Sequence, residues 1–151
     1  MRRASSNSAK VIDATKLDHR FKRHRVEIEL LAQTDAWLYG VQHDFYEMAS
    51  NLLLNASEAV ERGQARKMRV TLQESDKTVI LVVEDSGPGV PEEHRARIFD
   101  SFFTTKGSGR GTGLGLHLVR EVASRFGGTV EVGDSRDLGG ALFVVKLPGE
   151  G

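Results

Sequence analysis

The sequence predicts an α/β domain, on three observations. An apolar stripe at helical spacing runs through residues 41–62. A nearly all-apolar run at 78–83 has the length and β-branched content of a buried central strand. A glycine-rich stretch, residues 107–116, leads directly into a second helical pattern.

Taken in order, residues 1–10 carry three serines among basic residues and read as disordered. Residues 25–30 alternate and read as a strand, and 37–39 as a short second one. Residues 41–62 are a long helix whose apolar stripe is Val41, Phe45, Met48, Leu52, Ala56 and Ala59. A polar stripe of Glu47, Asn51, Asn55, Glu58 and Arg62 lies beside it at three- and four-residue spacing. Asparagine is a modest helix former, and a solvated face normally uses Lys and Glu, so two asparagines one turn apart point to a site. Residues 68–72 and 78–83 are strands turning near Ser75-Asp76. Pro91-Glu92-Glu93 carries the proline and acids of a helix's first turn. In the final third, Leu118, Val119, Val122, Ala123 and Phe126 mark a helix, with Gly127-Gly128 as its stop signal. Residues 129–132 and 141–147 are closing strands joined through Asp137-Leu138-Gly139-Gly140.

Composition bounds the function. The 151 residues suit one domain, and 28% charged with 39% hydrophobic residues fits a water-soluble globular chain. There is no cysteine, hence no disulfide framework and no thiolate chemistry. No apolar run reaches membrane-spanning length and no signal peptide opens the chain, so a cytoplasmic location is expected. Formal net charge is zero but uneven: residues 1–25 hold eight Lys/Arg against Asp13 and Asp18, leaving 13 basic and 19 acidic residues for the rest. A basic leader is compatible with nucleic acid or an acidic partner, but a solvated tail or the trimmed end of a longer protein is the favoured reading. Only Phe21 interrupts the leader, so the interleaved aromatics of a nucleic-acid module are missing.

Three stretches carry chemistry. In residues 107–116 five of ten are glycine, with Thr112 a candidate N-cap. A backbone without Cβ atoms can approach a phosphate chain, and the N–H groups of the helix's first turn point at it. A hinge before an ordinary helix has the same composition. At the end of the apolar strand, Asp85-Ser86-Gly87-Pro88-Gly89 presents a carboxylate on a tight turn, able to accept from an amino group. An ordinary Asp/Gly/Pro turn would look alike. Third, Phe99, Phe102 and Phe103 precede the glycine run, as anchors of a mobile segment or as parts of a buried turn.

Four motifs stand in a fixed order: Asn51-Leu52-Leu53-Leu54-Asn55-Ala56, Asp85-Ser86-Gly87-Pro88-Gly89, Phe99-Asp100-Ser101-Phe102-Phe103-Thr104-Thr105-Lys106, and Gly111-Thr112-Gly113-Leu114-Gly115-Leu116. In this order they resemble the N, G1, F and G2 boxes of the ATP-binding catalytic domain of bacterial sensor histidine kinases. The resemblance covers roughly residues 25–148, with wording most like the nitrogen-regulation and oxygen-sensing branch.

The resemblance implies a two-layer α/β sandwich, the Bergerat ATP-binding fold, with a mixed sheet on about three helices and a mobile ATP lid. Residues 1–24 would be a basic leader and 25–151 the catalytic domain. Asn55 would bind Mg²⁺, with Asn51 beside the phosphates or the ion and Glu58 on the same helix face. Asp85 would accept from the adenine amino group, and Gly87 and Gly89 would let the base approach. Phe99, Phe102 and Phe103 would anchor a lid over roughly 98–112 that includes Thr104 and Thr105. Gly111, Thr112, Gly113, Leu114, Gly115 and Leu116 would wrap the phosphates, with Lys106 and Arg110 adding positive charge. Asn51, Asn55 and Lys106 would carry the catalytic role, with ATP and Mg²⁺ as cofactors.

Departures refine this. Gyrase-like ATPases carry a water-activating glutamate where this chain has Asn51, so fast intrinsic hydrolysis is not expected. Many relatives place Ser or Thr near Ala141 to help hold adenine, so that contact is expected to be missing. The five histidines are His19, His24, His43, His94 and His117; only His43-Asp44 has a following acid, and it begins the N-box helix, where no phosphoacceptor belongs. The expectation is therefore a catalytic domain alone, monomeric in isolation. It would transfer the ATP γ-phosphoryl group to a histidine on a separate dimerisation domain and act indirectly on a response regulator. No nucleic acid and no membrane contact are expected for this domain, although the parent protein is compatible with a membrane location. Three alternatives share the fold: an anti-sigma-type serine kinase, a non-catalytic nucleotide-binding or docking module, and a gyrase-like ATPase.

Overall fold

A computed structural model of the chain describes residues 5–7, 27–32, 37–39, 42–61, 65–101, 103 and 115–148. Strands β1 (Ser5–Asn7), β2 (Glu27–Ala32) and β3 (Trp37–Tyr39) precede helix α1 (Gln42–Val60). Strands β4 (Lys67–Ser75) and β5 (Thr78–Asp85) follow, then a 3₁₀ turn at Glu92–His94. Helix α2 (Gly115–Arg125) and strands β6 (Thr129–Asp134) and β7 (Ala141–Pro148) complete the described elements.

The main sheet has the order β2-β4-β5-β7-β6. β2 runs parallel to β4, with α1 in the crossover between them, and the other neighbours are antiparallel. A mixed sheet under two helices is the expected two-layer sandwich, with β5 at its centre. β4 and β5 are joined by a two-residue turn in which Asp76 and Lys77 have φ of 50° and 63°, the left-handed pair that suits the twist of a hairpin.

Alternation along the strands builds the core. Met68, Val70 and Leu72 of β4, Val79, Leu81 and Val83 of β5, and Phe143, Val145 and Leu147 of β7 are buried on one face. α1 covers them with Phe45, Met48, Ala49, Leu52, Leu53, Ala56 and Val60, and α2 with Val119, Val122 and Ala123. The Phe45 and Phe126 rings meet edge to face at 6.4 Å where the two helices join. α2 ends as the Gly-Gly signal requires: Gly127, at φ +83°, and Gly128 donate backbone N–H to Ser124 and Ala123 carbonyls at 2.9 and 2.8 Å.

Two expectations are corrected. Ser5–Asn7 lies in the stretch read as disordered, yet it pairs antiparallel with β3, with Ser6 opposite Leu38. A ladder is made by backbone groups, so a short polar strand carries no apolar signature. The helix expected from Pro91 is a single 3₁₀ turn at Glu92–His94. Beyond it the backbone closes mainly by three-residue steps (Arg97 to His94, Asp100 to Arg97), with a four-residue step from Ile98 to His94. Ile98 and Phe99 turn into the core instead of continuing a surface helix.

Candidate nucleotide-binding site

The polar stripe of α1 is real and half-buried at Glu47, Asn51, Asn55 and Glu58, whereas Arg62 lies outside the described residues. Asn51 Nδ2 donates to the Glu47 carbonyl at 2.8 Å, which fixes the amide and leaves its oxygen on the other side. That oxygen faces the start of α2: a Cβ placed on Gly115 would stand 3.2 Å from Asn51 Oδ1. The N-terminus of α2, with Gly115 and Leu116 in its first turn, thus abuts Asn51.

Asp85 ends β5 and is 1% exposed. Its Oδ1 accepts from the backbone N–H of Gly87 at 2.9 Å and of Ala141 at 3.1 Å, and its carbonyl accepts from Gly140 N–H at 3.0 Å. A buried carboxylate needs such donors to offset its lost hydration. The turn packs on α1: a Cβ on Gly87 would lie 2.7 Å from the Ala59 carbonyl oxygen, so the close approach requires glycine. Gly89 holds φ +79°, a left-handed conformation that glycine adopts without strain. Ser86 closes the turn against β4, its N–H donating to the Lys67 carbonyl and its hydroxyl accepting from Lys67 N–H, both at 3.0 Å.

α1 therefore lines the site in sequence. The carboxylate turn packs at Ala59, Asn55 stands one turn earlier, and the α2 N-terminus meets Asn51 a turn before that. Eight residues of helix separate the two ends, about 12 Å. One end offers a buried hydrogen-bond acceptor and the other offers helix N–H groups with the positive end of a dipole. Such an arrangement can accept a hydrogen bond from a ligand at one end and donate to an anion at the other.

Of the phenylalanines, Phe99 is buried and meets Phe143 edge to face at 6.2 Å. Phe103 is half-buried, edge-on to His94 at 5.5 Å and under the Arg97 guanidinium at 5.0 Å. His117 of α2 reaches back to the Phe99 carbonyl, its Nδ1 at 3.2 Å. Phe102, Thr104, Thr105, Lys106, Arg110, Gly111, Thr112, Gly113 and Leu114 lie outside the described residues.

Three contributors escaped the sequence reading. The backbone N–H groups of Gly140 and Ala141 hold Asp85, so position 141 serves through its main chain. Arg95 donates from Nε to the Val90 carbonyl at 3.1 Å and pairs with Asp134 at 2.6 Å, tying the segment after Gly89 to the end of β6. Glu84 is buried beside Ser135. Only the Gly139-Gly140 doublet gave any sequence signal, and it read as a turn.

A two-layer sandwich with this site defines a nucleotide-binding α/β domain. Residues 40–151 match the family described as histidine kinase-, DNA gyrase B- and HSP90-like ATPase, and the chain belongs to that family. It is 34% identical over 112 residues to a probable C4-dicarboxylate sensor kinase of Bacillus subtilis, covering 73% of this chain and 21% of that protein. It is 35% identical over 147 residues to the signal transduction histidine-protein kinase/phosphatase MprB of a Mycobacterium species, covering 93% and 28%. The chain thus spans about a quarter of the length of these relatives. Among solved structures, the mycobacterial sensor histidine kinase MprB superimposes with a TM-score of 0.85 at 27% identity, over 99% of both chains. Full-length ShkA in complex with AMPPNP gives 0.80 at 27% identity, over 99% of this chain and 31% of that one. Fold and sequence are those of the ATP-binding catalytic domain of sensor histidine kinases. No described helix is long and apolar enough to cross a membrane.

Proposed function

We propose that this domain holds ATP with Mg²⁺ and presents the γ-phosphoryl group to a histidine supplied by a separate dimerisation domain, in a relay that ends on a response regulator. The observation that carries the reading is the ordered surface of α1, with a base acceptor at Ala59 and a helix N-terminus at Asn51. Asp85 takes the adenine amino group, and Gly87 and Gly89 allow the base to lie close. Asn55 and Asn51 offer amide oxygens one turn apart, and Asn55 makes no side-chain hydrogen bond among the described residues. Hard oxygen donors of this kind fit Mg²⁺, which keeps several waters and binds through few protein ligands plus phosphate oxygens. When bound, the ion neutralises phosphate charge. Glu58 faces the same side.

Phosphoryl transfer asks the protein mainly for positioning and charge stabilisation. In this proposal the first-turn N–H groups of α2, with Gly115 and Leu116, orient the phosphates. Phe99 and Phe103 root the lid that carries Thr104, Thr105, Lys106 and Arg110 into Gly111, Thr112, Gly113 and Leu114, and those lid roles rest on the motif alone. Residues 25–151 form the catalytic unit and 1–24 a basic leader. The nucleophile comes from the partner, so the domain alone is a slow hydrolase and a monomer. ShkA was solved with AMPPNP, which supports a nucleotide in this fold.

The test is calorimetric titration of ATP with and without Mg²⁺. Asn55→Ala is expected to remove most of the magnesium-dependent gain in affinity, and Asp85→Ala to abolish adenine-nucleotide binding. Wild-type protein that binds no nucleotide would overturn the proposal.

A further inference from the structure

Two acids end β5, and alternation sends them to opposite faces of the sheet. Asp85 stands opposite Met68 on the helix side, and Glu84 opposite Arg69 on the other. The proposed function uses only Asp85. Glu84 is nevertheless buried to 9% exposure, unusual for a carboxylate without a task.

Its partners lie in the connection between β6 and β7. Ser135, 3% exposed, donates its hydroxyl proton to Glu84 Oε1 at 3.0 Å and accepts from Leu138 N–H at 3.1 Å. Arg69 Nη1 lies 3.7 Å from Glu84 Oε2 and 2.8 Å from Asp137 Oδ2. The connection is also closed on itself: Ser135 N–H donates to the Gly140 carbonyl and Gly139 N–H to the Ser135 carbonyl, both at 2.8 Å. Its far end delivers the Gly140 and Ala141 N–H groups to Asp85. One six-residue connection thus grips Glu84 at its start and Asp85 at its finish.

We infer that Glu84 and Ser135 are positioning residues for base recognition: their buried hydrogen bond sets the loop that aims the Asp85 carboxylate. A charge-assisted bond between two buried groups is strong enough and local enough for this task. Without it the loop relaxes, the Ala141 N–H drifts from Oδ1, and the carboxylate loses its fixed direction. The inference rests on the reading of Asp85 as the adenine acceptor.

The experiment compares dissociation constants for ATP and for inosine triphosphate, which carries a carbonyl in place of the amino group. Wild type should prefer ATP. Ser135→Ala should weaken ATP about three- to tenfold, because only part of the strength of one hydrogen bond to a charged group reaches the base, and leave inosine triphosphate nearly unchanged, so the preference shrinks. Ser135→Thr, which keeps the hydroxyl, should restore it. Should Ser135→Ala fail to fold by circular dichroism, Glu84→Gln, which keeps an acceptor without the charge, carries the same test. A folded variant with the wild-type ATP preference would show a role in stability only and overturn the inference. Wild type that does not distinguish the two nucleotides would instead overturn the adenine reading, and this inference with it.

Discussion

Gly140 should be the least replaceable residue in the loop that holds Asp85. A Cβ there would fall on Asp85 Oδ1, 2.5 Å from the Asp85 carbonyl oxygen and 2.7 Å from Gly87 N. Two of these atoms are backbone and the third is an anchored carboxylate, so none can swing away as a flexible side chain would. Overpacking costs about 1–3 kcal/mol. Relief of the clash would also stretch the hydrogen bonds from Gly140 and Ala141 N–H to Asp85, 3.0 and 3.1 Å long, of which the one to the carboxylate alone is worth about 1.5–3 kcal/mol. These contributions overlap, so Gly140→Ala should cost about 3 kcal/mol. Gly133, in the neighbouring strand β6, has nothing within 4 Å of its virtual Cβ and is the control, with Gly133→Ala expected within about 0.5 kcal/mol of wild type. Urea unfolding followed by circular dichroism reads the difference: at a slope of about 2 kcal/mol per molar, the Gly140→Ala midpoint falls by about 1.5 M. ATP affinity should fall at least tenfold. Equal midpoints for the two variants would refute the steric argument, and lost stability with intact ATP affinity would refute the link to the site.

Other perturbations follow from single contacts. Ser50 Oγ is buried on α1 with no hydrogen-bond partner among the described residues, so Ser50→Ala should stabilise by about 1 kcal/mol and raise the melting temperature by a few degrees; a lower melting temperature would contradict this. Phe143→Ala should cost about 3–5 kcal/mol by opening a cavity under Phe99, and calorimetric or urea unfolding that shows under 1 kcal/mol would rule it out. Asp44 and Arg125 pair at 3.1 Å with both side chains partly exposed, so Asp44→Asn should change stability by under about 1 kcal/mol, less in high salt. A loss above 2 kcal/mol would give that pair a role its exposure does not support.

Pattern and composition made α1, α2 and six of the seven described strands legible, because the core selects apolar residues on the inward faces of these elements. The Asn51 and Asn55 stripe was legible for the complementary reason: it breaks the composition of a solvated helix face. Ala59 looked like a stripe residue and instead makes room for Gly87, a contact between segments nearly thirty residues apart that no local pattern encodes. The same holds for Ala141, where the side chain seemed to matter and the backbone N–H does the holding. The turn after Pro91 satisfied every local rule for starting a helix, and burial of Ile98 and Phe99 overrode them. Ser5–Asn7 escaped because its pairing is made by main-chain atoms alone.

β5 has a frame problem. Val79, Ile80, Leu81, Val82 and Val83 are all apolar, so sliding the strand by one residue would cost the core little in hydrophobicity. It would cost the site everything, since Glu84 would enter the helix face and Asp85 would leave it. Greasiness cannot choose between the two settings. The choice falls to the strand's ends, with the tight Asp76-Lys77 turn counting residues at one and Arg69 and Ser135 catching Glu84 at the other. The acid that does no chemistry is thus the one that keeps its neighbour in phase.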